Sequence, residues 1–144
     1  MPQIFHKILL TLSLLAATLA QAQLSIEITG AGANRIPVAI TNFAGDAAAA
    51  QVVASTVRSD LERSGLFKLV DPAGATLDEN APVNFGDWKN RGADALAAGS
   101  LARGADGRME ARFRLYDTQK QVSLGGAVYV TGNDQLRAAG HRIA

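Results

Sequence analysis

The chain has 144 residues, a formal net charge of +1 and no cysteine. Near-neutrality argues against nucleic acid or an anionic membrane surface as the main partner, since both call for clustered Lys and Arg. Without Cys there are no disulfides and no thiol chemistry, so packing must supply the stability.

Residues 1–22 hold one base, Lys7, then an apolar run from Ile8 to Leu19, then Ala20-Gln21-Ala22. A basic start, a short apolar stretch and a small-x-small site are the three parts of a secretory signal peptide. The run is shorter than the ~20 apolar residues needed to span a bilayer. No Cys follows it, so no lipoprotein anchor is encoded there. The pattern predicts cleavage after Ala22 and a soluble exported chain starting at Gln23. Loss of Lys7 leaves that mature chain without net charge.

Gln23-Leu24-Ser25-Ile26-Glu27-Ile28-Thr29 alternates apolar and polar residues, the period of a half-buried strand. Gly30-Ala31-Gly32-Ala33-Asn34 behind it reads as a hinge of small residues. Gly30 and Gly32 do not begin a dinucleotide fingerprint, because Arg35 stands at the third glycine position and a strand follows where a helix should open. A tethered alternating strand at a free end can add itself to the sheet edge of another protein. It can equally pair inside its own domain, and the sequence leaves both fates open.

Ile36–Phe43 reads as a strand, buried over Val38–Ile40, with Pro37 at its start or at a sheet edge. Asp46 is placed to cap a helix whose Ala49, Val53, Val57 and Leu61 make one apolar stripe. Arg58, Asp60, Glu62 and Arg63 lie largely off that stripe. Gly65 suits the left-handed position past the helix end, and Leu66 is expected to touch Leu61 across it. Phe67–Val70 is a short strand stopped by Asp71-Pro72. Residues 73–83 read as a surface loop, and 85–91 as a helical turn with Trp88 as a core anchor.

Ala95–Leu101 predicts a strand of small residues, followed by a turn at 104–107. Over Arg108–Tyr116, Met109, Ala111, Phe113 and Leu115 point one way. Arg108, Glu110, Arg112 and Arg114 point the other, as a solvated face. Val122, Leu124, Val128 and Val130 mark an antiparallel partner strand. A last helix, capped by Thr131 or Asn133, carries Leu136, Ala139, Gly140 and Ile143 on one face. That stripe still runs at Ala144, which predicts a fragment of a longer protein. The element order predicts an α/β fold with a mixed sheet and helices packed on it.

Catalytic signals are sparse. His141 is the one His after the signal, and no Cys or carboxylate pair near it in sequence suits a metal. No nucleophile motif such as G-x-S-x-G occurs. We read His141 as a packing or interface residue and expect no catalytic, cofactor or metal site.

Five segments together resemble the TolB amino-terminal domain family. They are QLSIEITGAGANRIPVAITNF, VRSDLERSGLFKLVD, FGDWKNRGADALAAGSL, RFRLYDTQKQV and LRAAGHRIA. The resemblance implies a three-layer, anticodon-binding-domain-like α/β structure with a mixed five-stranded sheet. It implies a non-enzymatic periplasmic scaffold of the Tol–Pal system, which supports outer-membrane integrity and invagination at division and is exploited by colicins and phage. It also implies that Gln23–Thr29 binds a TolA-like inner-membrane protein, with Leu24, Ile26 and Ile28 as anchors. Family members continue into a six-bladed propeller that binds the lipoprotein Pal. No propeller repeats occur here, so the resemblance extends TolA-type binding to this chain and not Pal binding. Two other classes fit the composition: a stand-alone periplasmic regulator of a cell-wall synthase, and a small hydrolase or ligand-binding protein.

Overall fold

The computed structural model describes residues 34–144. The strands are β1 (Ile36–Ile40), β2 (Ala44–Gly45), β3 (Phe67–Val70), β4 (Ala95–Arg103), β5 (Met109–Asp117) and β6 (Val122–Thr131). The helices are α1 (Ala47–Ser64), α2 (Phe85–Asn90) and α3 (Leu136–Ile143), with a 3-10 turn at Asn133–Gln135 before α3. One mixed sheet runs in the order β3-β1-β4-β5-β6, with the two-residue β2 paired beside β4. The pairs around β1 and β2 are parallel, and the β4-β5-β6 meander is antiparallel. The mixed α/β sheet expected from the element order is present.

Helix α1 forms where an alanine-rich start favours helix and Asp46 accepts from the Ala49 N–H at 3.0 Å. Its stripe of Ala49, Val53, Val57 and Leu61 is buried. Gly65 ends the helix with φ of 73°, and its N–H reaches the Glu62 carbonyl. Leu66, expected against Leu61 across the helix end, stays 65% exposed. Ser64 explains this: its hydroxyl donates to the Leu61 carbonyl at 2.6 Å and accepts from the Leu66 N–H at 3.2 Å. The hydroxyl takes up both groups that a Schellman cap would join directly.

The sheet's alternation builds two cores. Val38, Ile40, Ala97, Leu101, Met109 and Ala111 face α1 and α3. Ala39, Leu96, Ala98 and Tyr116 face the opposite way, onto Trp88 of α2. Small residues let the layers approach. A Cβ added at Gly140 of α3 would lie 2.6 Å from the Thr56 Cβ of α1.

Pro37 sits at the start of its strand, one of the two places expected for it, and not at a sheet edge, because β1 lies between β3 and β4. It is tolerated because pairing with β4 begins only at Val38, and the Pro37 carbonyl accepts from the Asp94 N–H just before that strand. Residues 73–83 are more than a surface loop: Ala75, Leu77 and Val83 pack on the second core. Their backbone also fills the sheet between Ile40 and β2, where Leu77 donates to Asn42 and accepts from Gly99. Finally, neither Thr131 nor Asn133 caps α3; the 3-10 turn leads into it with no side-chain cap.

Candidate functional site

The partner-binding strand read from sequence, Gln23–Thr29, lies outside the described residues. So do the hinge glycines Gly30 and Gly32 and the cleavage site Ala20–Ala22. The described chain starts at exposed Asn34 and Arg35 and passes at once into β1. The Ile36 N–H bonds the Leu66 carbonyl at 2.9 Å, which fixes this entry point on the domain. Residues 36–131 supply every strand in the order β3-β1-β4-β5-β6.

His141 does not stand alone. Its Nδ1 lies 2.5 Å from the Asp60 Oδ2, and Asp60 also receives the Arg63 guanidinium. The hydrogen bond from His141, then that from Arg63, holds the Asp60 carboxyl below the usual carboxylate range. Ser55, Thr56, Ser59 and Arg137 share the polar cleft beside this trio. Asp60 orients the imidazole, yet no hydroxyl among the described residues bonds the other ring nitrogen. Ser55 and Thr56 instead donate to the Val52 carbonyl. The arrangement ties α1 to α3 and lacks the nucleophile–base contact that acyl transfer requires. Among the described residues no group of three or more His, Asp and Glu is placed to hold a metal.

The basic row on β5 is less solvated than its alternation suggests. Arg112 pairs with Glu110, and the Arg114 Nε is buried without a partner. The segment at Glu79 and Asn80 leans over this end of the sheet, with the Tyr116 hydroxyl donating to the Glu79 carbonyl at 3.1 Å. Beyond it, β6 ends the sheet among the described residues. Val122, Leu124, Val128 and Val130 are exposed along it, and none of its residues is charged. Trp88 is buried as a core anchor, with Arg91 5.3 Å above its ring.

The family model for the TolB amino-terminal domain matches residues 24–124. This chain belongs to the TolB amino-terminal domain family. A Tol-Pal system protein TolB from Dechloromonas aromatica is 74% identical over all of this chain and 34% of its own length. One from Bordetella avium is 45% identical over 92% of this chain and 30% of its own. The crystal structure of TolB from Acinetobacter baumannii superposes with a TM-score of 0.65 at 30% identity, over 81% of this chain and 28% of that one. The chain thus spans about a third of the length of the curated TolB relatives it matches. The family match begins at Leu24 and so takes in most of the alternating segment 23–29. No described helix is long and apolar enough to cross a membrane.

Sequence reasoning missed two features of this surface. The Asp60–His141 pair joins residues 81 apart, and no local pattern marks such a contact. Spacing alone places Arg58 off the apolar stripe and gives no partner for it. It turns inward at the carboxyl end of β1 and bonds the Ile40 carbonyl at 2.8 Å.

Proposed function

We propose that this chain acts in the periplasm as a non-enzymatic scaffold of the Tol–Pal system. Its mature strand Gln23–Thr29 docks by edge addition on a TolA-like inner-membrane protein. The observation that carries this reading is the family match from residue 24 onward, with relatives named as Tol-Pal system proteins. Leu24, Ile26 and Ile28 sit on one face of an extended segment and anchor it, while backbone bonds supply register. Gly30 and Gly32 let the strand reorient relative to the domain. Cleavage after Ala22 creates the free end that this docking uses. In this role the chain supports outer-membrane integrity and invagination at division, and it offers colicins and phage a handle.

Removing residues 23–29 from the mature chain tests the reading. Binding to a TolA-like carboxy-terminal domain should disappear in calorimetry while the thermal transition stays nearly unchanged. Ile26→Pro should act alike, because proline removes a strand N–H. Undiminished binding after the deletion would place the site elsewhere. Unfolding on deletion would make the segment an internal edge strand.

A further inference from the structure

The connections of the parallel strands reverse at β1. From β1 the chain runs through α1 to β3 on one side, while β4 lies on the other. In open α/β sheets such a reversal leaves a crevice beyond the carboxyl ends of the strands, and ligands bind there. A crevice of about 440 Å³ lies at this point, within the ~300–1,000 Å³ range of small-molecule sites. Phe43, Ala47, Ala50 and Ala54 give it an apolar wall, and Asn42 and Arg58 give it a polar one.

Arg58 is half-buried. Its Nε and Nη2 donate to the carbonyls of Ile40 and Thr41 and to the Asn42 Oδ1, at 2.8–3.2 Å. These bonds point the guanidinium at the end of β1 and leave Nη1 as the unused donor. No carboxylate among the described residues forms an ion pair with it. Asp71 acts on it only through its longer-range charge. Guanidinium groups in partly buried sites are ordinarily matched by an anion, most often a bidentate or monodentate carboxylate or phosphate. The alanine wall leaves room for a short aliphatic body and offers no second cation for a phosphate.

We propose that this crevice binds a carboxylate, with its anionic end on the Arg58 Nη1 and its short apolar body against Ala47, Ala50 and Phe43. A free small acid and the acidic side chain of a protein segment offer the same chemistry. The residues that line the crevice all belong to the stretch from Asn42 to Thr76, and the test below uses no TolA-like partner.

Butyrate, its uncharged isostere butyramide, and the blocked peptide acetyl-Gly-Glu-Gly-amide are suitable probes. Each is titrated into the isotope-labelled chain while backbone amides and the Arg58 Nε–H are followed by NMR. Butyrate or the peptide should give saturable shifts at Asn42, Ala47, Ala50 and Arg58. Half-saturation should come at a concentration about tenfold or more below that for butyramide. The tighter of the two carboxylates identifies the source. Arg58→Lys should weaken carboxylate binding at least about tenfold, since an ammonium cannot keep the β1 contacts and still present a free donor. Should that variant lose its fold, Ala47→Phe provides the second arm. Residue 47 is exposed at the crevice mouth, outside the Arg58 contacts, and the new ring should abolish the shifts while the thermal transition is kept. Linear, non-saturating shifts, equal response to butyrate and butyramide, or shifts that survive Ala47→Phe would overturn the proposal.

Discussion

Asp60 shows how a single carboxylate can join two helices. Its pKa is depressed by the bond from His141 and then by that from Arg63. A depressed folded-state pKa contributes stability that is present above the unfolded value, near 3.9, and is lost as pH falls through the folded value. Asp60→Asn should therefore lower the unfolding midpoint at neutral pH, and the gap from the parent should close below about pH 5. Thermal unfolding of both proteins across pH 2–8 checks this. A gap of constant size would mean that the loss is one of packing. Residues of this kind divide by the distance over which their partners act. Asp46 and Gly65 were legible because a cap acts within one helical turn. The exposure of Leu66 was harder to read, because the Ser64 hydroxyl takes the same two backbone groups, and the sequence does not say which donor wins. Arg58 and Asp60 could not be assigned at all, since their partners are fixed by which strand and which helix lie alongside α1.

At the level of elements, period carried most of the information. The four-residue spacing of Ala49, Val53, Val57 and Leu61 located α1 and its buried face, and alternation located β5. Leu61→Ala should destabilise the domain by about 2–5 kcal/mol, as a buried large-to-small change. Lys68→Ala, at an exposed position of β3, should change stability by about 0.5 kcal/mol or less. Denaturant titrations of the two variants compare them directly, and equal losses would contradict the burial of the stripe. Residues 73–83 escaped the sequence reading for a physical reason. Their contribution to the sheet is only a few backbone bonds around Asn42, Leu77 and Gly99, too few positions to impose a period. Their apolar residues Ala75, Leu77 and Val83 are spaced irregularly, yet they pack against the second core.

For the whole molecule, the mixed character of the sheet followed from the order of elements, whereas the order within the sheet and the short β2 did not. The position of β1 at the centre of the parallel pairs and of β6 at the rim depends on contacts between segments far apart in sequence. That placement leaves β6 as an edge with exposed Val122, Leu124, Val128 and Val130 and no charge or proline. Edge strands usually carry such residues as protection against pairing with other chains. Val128→Lys combined with Val130→Lys should reduce self-association at high concentration, with stability altered by only about 0.5 kcal/mol per site. Light scattering and a thermal melt on the same samples test both parts. Unchanged scattering would show that this edge is not the sticky one. The alternation of Gln23–Thr29 is a local pattern and so can be read without a fold, and the family match takes it in from Leu24 onward. The crevice at Arg58 was invisible, since it exists only once β1, α1 and the 75–77 segment are assembled.

The chain's entry into the sheet also sets how the domain answers a mechanical load. Tension on the amino-terminal segment arrives through Asn34 and Arg35 and falls first on β1. That strand is hydrogen-bonded to β3 on one side and β4 on the other, both running parallel to it. A pull along its axis must slide it past two neighbours at once, so the bonds share the force in shear rather than opening one by one like a zipper. Rupture under load is governed by the unfolding barrier, not by equilibrium stability. A tether attached at this point therefore grips the domain by a strand held on both sides.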